Sequence, residues 1–361
     1  MAQPARDLSP TIQASLRPVV ANQLQWPDGP VTVEPLPGDA SNRRYFRIRS
    51  DHHTAIVMVL ADPEGFKASE EAVSASARAA TELPFQNIWR HLHQRGLRVP
   101  RIYHYDQPGG WLLLEDSGDR LLAHAVEGQP PDVMRAWYRR AIEMLVQLQT
   151  SATTPPDAQC LAFGRGFDEP LFMWEFEHFV EYGIEARQEF PLAPARRRAL
   201  LAAFRPIAAE LAAQPRVFAH RDYHSRNIMV HRDQLWLIDF QDALLGPPHY
   251  DLASLLRDSY VSLPGELIDR LLDDYADLSE RAGRRLTDRA AFHRLFDLAS
   301  VQRNLKAAGR FVYIWKVKRN DRYLAAIPRT LAYVRANCER YPELKPLHEL
   351  LAPLVPELAP S

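Results

Sequence analysis

Cysteine is nearly absent: Cys160 and Cys338 are the only two in 361 residues, far apart and without metal-ligand spacing. That excludes a disulfide framework and makes a reducing cytoplasm the expected setting. Long apolar runs are missing as well. The longest, Ala55 to Ala61, falls far short of the ~20 residues that a membrane-spanning helix needs, and the opening MAQPARDLSP lacks an apolar signal-peptide core. Net charge is close to zero, at −1, which removes the broad positive field expected of a nucleic-acid binder. There are no repeats and no low-complexity tails. What remains is 46% hydrophobic and 25% charged, a globular chain long enough for two or three lobes. The expectation is a cytoplasmic monomer with no membrane or nucleic-acid partner.

One stretch concentrates chemistry. Residues 218–251 read FAHRDYHSRNIMVHRDQLWLIDFQDALLGPPHYD. His220, Arg221 and Asp222 are followed by Asn227, the pattern H-R-D-x-x-x-x-N, and Asp239 ends an apolar run twelve positions after Asn227. Ile228–Val230 and Leu235–Ile238 form the arms of a predicted hairpin with its turn at His231–Gln234. Transfer of a phosphoryl group from ATP to a hydroxyl needs positioning and cations more than covalent chemistry. Asp222 would orient the acceptor hydroxyl and take its proton, while Arg221 neutralises it. Asn227 and Asp239 offer the hard oxygen ligands that Mg²⁺ prefers. His220, His224, His231 and His249 fall on a loop and hairpin with no cysteine beside them, which is not a zinc pattern.

Ahead of this stretch the hydrophobic period changes once. Residues 8–25 suit an amphipathic helix. Val31–Leu36, Tyr45–Arg49, Ala55–Leu60, Val99–Tyr105 and Trp111–Glu115 read as five strands, with one helix from Phe85 to Gln94. The loop GDASNRRY, Gly38 to Tyr45, can present backbone N–H groups to phosphates or serve as an ordinary turn. Residues 62–84 read as an insertion. Beyond a hinge at Glu115–Asp119 the period becomes 3.6, with helices predicted over 132–150, 168–183, 194–213, 251–262, 265–282, 286–311 and 322–337. Glu175, Glu177 and Glu181 are expected on a solvated face. Asp251 is read as a helix cap or loop anchor. Asp242 is left between the metal shell and solvent.

The result is an α+β reading: residues 1–115 as a nucleotide-binding lobe, 116–361 as a helical lobe holding the catalytic loop and acceptor site. This order, with HRD…N and IDF, resembles the protein-kinase-like architecture. Gln241 after the IDF and the lack of an activation-loop sequence before Gly246 make the chain similar to the aminoglycoside and choline phosphotransferase branch. IDFQDALLGPPHYDLASLLRDSYVSL, QRNLKAAGRFVYIWK and RYLAAIPRTLAYV resemble its bacterial subgroup of anomeric amino-sugar kinases in cell-wall recycling. The resemblance implies ATP and Mg²⁺ as cofactors and a small amino sugar as substrate. It implies Asp222 as base, Asn227 and Asp239 on the metal, and the Glu115 carbonyl and Ser117 amide on adenine. It also places Gly38, Ser41 and Asn42 over the phosphates. Two alternatives stay open: a kinase of another small hydroxyl compound, and a non-catalytic nucleotide-binding scaffold.

One departure is plain. The family's third-strand lysine is Met58 here, and the helix Phe85–Gln94 carries no acid. Arg43, Arg44 or Lys67 could substitute, Arg44 first because it borders the loop. On the acceptor side, residues 302–322 hold seven Lys or Arg and one acid, Asp321. Gln302, Arg303, Lys306 and Arg310 share a face at helical spacing. That face is either solvated or, together with His224, lines an acceptor cleft suited to a neutral or anionic sugar.

Overall fold

The computed structural model describes residues 7–26, 29–37, 43–60, 82–284, 286 and 288–359. Gly38, Ser41, Asn42, Lys67 and nearly all of the 62–84 insertion lie outside them. By contact the chain divides into two units. One comprises the described residues up to 60 with Val99–Asp119; the other comprises 82–98 and everything from Arg120 onward.

The first unit is built around a five-stranded antiparallel sheet of order β1-β2-β3-β5-β4. Its strands are β1 Thr32–Pro35, β2 Arg44–Ser50, β3 His53–Val59, β4 Ile102–Asp106 and β5 Trp111–Glu115. Helix α1, Pro10–Val19, starts where the Ser9 hydroxyl accepts the Ile12 N–H at 3.3 Å, a standard helix cap. Its Ile12 and Leu16 join Phe46, Ile48, Val57, Trp111 and Leu113 in one core. Alternation along the strands leaves Arg47 and Met58 for the opposite face. There Met58 is fully buried, so the position the family fills with lysine is apolar. The buried cation of this face is Arg47: its guanidinium donates to Asp116 at 2.7 and 3.0 Å and to Asp119 at 2.9 Å. Arg44 sits over the Phe46 ring at 5.8 Å. The Glu115 carboxylate turns back to accept the Arg101 N–H at 3.1 Å.

In the second unit, helix α2 runs Pro84–Gln94. The sequence reading counted this helix in the first lobe, ended at residue 115; by contact it groups with the helical unit, and the division falls after Asp119. Then follow α3 Leu122–Val126, α4 Pro131–Thr150, α5 Glu169–His178 with a π-helical extension to Ala186, and α6 Pro194–Ala212. A short ladder pairs β6 Val217–Ala219 with β9 Leu244–Gly246, and the predicted hairpin is β7 Ile228–His231 with β8 Gln234–Leu237. Helices α7 Pro248–Leu256, α8 Gly265–Arg281, α9 Arg289–Lys318, α10 Ile327–Arg340 and α11 Lys345–Leu351 complete it. The 30-residue α9 crosses the extension of α5 at Gly309, where a Cβ would lie 2.8 Å from the Phe179 Cα. Glycine permits that approach, which fixes Lys306 and Arg310 against α5.

Candidate active site

The hairpin forms because two apolar arms flank a two-residue turn. Arg232 and Asp233 take φ of 46° and 60°, the left-handed pair that matches strand twist in such turns. Register runs from Ile228 opposite Leu237 to His231 opposite Gln234. The Ile238 N–H donates to the Asn227 carbonyl at 3.1 Å, so the segments carrying Asn227 and Asp239 stay together. The Asn227 side-chain NH₂ donates to the Asp222 carbonyl at 2.9 Å. This orientation leaves its amide oxygen as a ligand. Asp239 takes φ 62°, a conformation that is uncommon away from glycine and often found at functional sites. The Gln241 NH₂ bridges Asp239 and Asp242, donating to each at 3.0 Å. A carboxylate and an amide oxygen form an all-oxygen donor set, which fits Mg²⁺.

The loop carrying Asp222 is pinned by two buried acids. Asp251, on α7 and 0% exposed, accepts the His220 N–H at 2.6 Å and the Arg221 N–H at 3.0 Å. It lies inside the first turn and is not the cap; the cap position is Pro247. Burial pushes its carboxyl up to about 6, although His220 and the two amides pull the other way. Asp258, also fully buried, accepts the Ser225 N–H at 3.0 Å and the Ser225 hydroxyl. His220 is locked between the Ile238 carbonyl at 2.9 Å and the Asp222 N–H at 3.3 Å. Its Nε2 therefore donates and its Nδ1 accepts. Arg221 takes φ 77°.

Asp222 presents a carboxylate that is 41% exposed. Its direct partner is Lys306 of α9, whose ammonium stands 3.3 Å from Oδ1. Desolvation pushes this carboxyl up, but the positive fields of Lys306, His224, Arg221 and Arg303 outweigh it and hold the group well below the usual carboxylate range. Arg221 faces elsewhere, donating to Glu175 at 3.2 Å and lying 5.4 Å from the centre of the Phe167 ring.

Glu175 corrects the sequence expectation of a solvated face. It is 0% exposed and accepts from Arg221, from Gln302 at 2.8 Å and from the Tyr250 hydroxyl at 3.4 Å, whereas Glu177 and Glu181 are exposed. A 168–183 helix packed on several sides has only a narrow solvent stripe, and the spacing of three acids does not say which of them falls outside it. Gln302 and Arg303 are likewise interior. The Arg303 guanidinium donates to the Ser254 hydroxyl at 3.1 Å and to the Asn304 side-chain amide oxygen at 3.1 Å. Of the basic face, Lys306 touches Asp222. Arg310, one turn along, lies 4.7 Å from the centre of the Tyr313 ring, in a group with His178 and Tyr182. Burial first, then Arg310 and Lys306, lower His178 to about 3. His224 packs edge-on to Tyr260 at 5.2 Å. Asp258, the pairing of Lys306 with Asp222, and the Arg47–Asp116 pair carried no signal readable in the sequence.

Comparison with known proteins gives consistent findings. A family model described as the phosphotransferase enzyme family matches residues 32–293. The N-acetylmuramate/N-acetylglucosamine kinase of Pseudomonas putida is 32% identical over 317 residues, 88% of this chain and 86% of that protein. The protein of the same name in Neisseria meningitidis is 30% identical over 335 residues, 92% of this chain and 93% of its own length. Among solved structures, the choline kinase LicA of Streptococcus pneumoniae superposes with a TM-score of 0.59 at 17% identity, over 90% of this chain and 99% of that one. ADP-bound aminoglycoside phosphotransferase APH(2'')-Ib gives 0.58 at 15%, over 97% and 99%. These two establish the kinase-like fold.

Proposed function

The chain belongs to the phosphotransferase enzyme family, and from that premise we propose that it transfers the γ-phosphoryl group of ATP to the anomeric 1-hydroxyl of N-acetylmuramate and N-acetylglucosamine. The relatives' names and lengths support the substrate class. The single observation that carries the chemistry is the Asp222–Lys306 contact, with Asn227 bonded to the Asp222 carbonyl and held on a segment adjoining that of Asp239.

In this reading Asp222 accepts a hydrogen bond from the sugar hydroxyl and orients it for in-line attack, receiving its proton as the new bond forms. A carboxyl held well below its usual range is a weak base. That suits a loose transition state in which the attacking hydroxyl loses its proton late. Lys306 offsets the charge of Asp222 so that a second anion can approach. Asn227 and Asp239 would hold Mg²⁺, which when bound neutralises phosphate charge. The Glu115 carbonyl and Ser117 amide would take adenine, and Gly38, Ser41, Asn42 and Arg44 the phosphates. Lys306, Arg310 and His224 give the acceptor side a positive field. That field favours the lactyl carboxylate of N-acetylmuramate and disfavours a polycationic aminoglycoside. The product would be a sugar 1-phosphate for nucleotide-sugar formation in cell-wall recycling, made by a cytoplasmic monomer. No helix among the described residues is long and apolar enough to cross a membrane.

Phosphorus NMR of the product from Mg·ATP with each sugar tests this, with Asp222→Asn as control. A 1-phosphate doublet lost in the variant is the expected outcome. ADP formation with neither sugar phosphorylated would move the acceptor to another hydroxyl compound. No ATP consumption with any acceptor would leave a nucleotide-binding scaffold.

A further inference from the structure

A charged cavity opens in the helical unit, apart from the loop that carries Asp222. Its volume is about 780 Å³, within the range of small-ligand sites. Its walls come from Glu82 and the start of α2, from the segment around Cys160–Gly166, and from Arg216 and Leu245. Arg216 precedes β6 and His220 follows it, so a three-residue strand, about 10 Å long, separates the cavity from the loop that carries Asp222.

Three guanidinium groups line it: Arg90, Arg165 and Arg216. Arg90 is matched by Glu82, with bonds of 2.6 and 2.8 Å to the two carboxylate oxygens. Arg165 and Arg216 have no side-chain hydrogen-bond or ion-pair partner among the described residues. Arg216 lies directly on the backbone of Gly166, where a Cβ would stand 2.6 Å from its Nη1. Glycine at 166 therefore leaves room for the guanidinium at the cavity edge. Among the described residues the lining carries a net two positive charges, three arginines against Glu82, and beside them Leu161, Phe163 and Leu245 offer apolar surface. Like charges gathered at one concavity favour an anion there, and the planar fork of arginine matches phosphate oxygens in pairs.

We infer that this cavity binds a small organic phosphate, with Arg165 and Arg216 on the phosphate and the apolar residues against its carbon skeleton. The site is distinct from the phosphoryl-transfer site.

Isothermal titration of phenyl phosphate into the full chain saturated with Mg·ADP tests the inference. One site per chain is expected, weakened at least tenfold in Arg165→Gln/Arg216→Gln while the urea midpoint and the rate of ADP formation stay unchanged. Should the double variant fold poorly, Arg165→Gln alone, on a half-buried side chain, gives the same reading through a smaller loss. Absence of binding to the wild type, binding unchanged in the arginine variants, or equal binding of malonate would each overturn the assignment.

Discussion

Replacing Asp251 separates what holds the fold from what holds the catalytic loop. Its carboxylate accepts the N–H groups of His220 and Arg221 at 2.6 and 3.0 Å in a fully buried position. Hydrogen bonds to a charged group contribute roughly 1.5–3 kcal/mol each. Against this, the carboxyl's rise from 3.8 to about 6 corresponds to about 3 kcal/mol against the ionised form at neutral pH. Asp251→Asn relieves that penalty and keeps one acceptor, so its stability should stay within about 1 kcal/mol of the wild type. Its NH₂ must then face one of the two N–H groups, and the loop bearing Asp222 loses half its anchor. The rate of ADP formation should fall by about tenfold or more, the equivalent of one lost bond of ~1.4 kcal/mol in the transition state. Asp251→Ala removes both acceptors and leaves two buried donors unpartnered, which should destabilise by roughly 2–4 kcal/mol in urea unfolding. Equal loss of stability in the two variants with kcat retained in Asp251→Asn would refute the loop-anchor account.

The same residue sets a pH test: because its folded value lies above 3.8, its titration favours the folded state as pH falls through about 6. Activity should decline below that pH, as the anchor is protonated, without a matching loss of thermal stability. Asp222 has the opposite sign: its depressed value contributes stability above the ordinary aspartate range and loses it only in stronger acid. Arg47→Met should cost about 3–5 kcal/mol by stranding Asp116 in a site where its side chain is 6% exposed. Arg47→Met/Asp116→Leu should recover much of that in urea unfolding, and an equally unstable double variant would count against the pair. Lys306→Met should raise the KM for N-acetylmuramate more than that for N-acetylglucosamine, because one of the positive charges beside the acceptor carboxylate is gone. Equal changes for the two sugars would limit Lys306 to its contact with Asp222.

Much of this molecule was legible in sequence because its signals are local. The five strands follow from alternation and turn residues. The catalytic hairpin follows from two apolar arms and a polar turn, and the kinase-like order of elements follows from one change of hydrophobic period. HRD…N and IDF placed Asn227 and Asp239 on adjoining segments, since a two-residue turn fixes register by itself. The partners of Glu175, Asp258 and Lys306 were beyond that reach. Each lies tens of residues from its partner, and whether a charged side chain on a helix meets water or a buried arginine depends on which neighbouring helix covers that stripe. The same holds for the first sheet: a lysine absent at Met58 is visible in sequence, while the buried Arg47 on the same face is found only once β2 and β3 are paired. Residue order determined the elements and the chemistry they can carry. Only packing decided which charges share a low-dielectric site, because Coulomb and desolvation terms depend on distance through space and not along the chain.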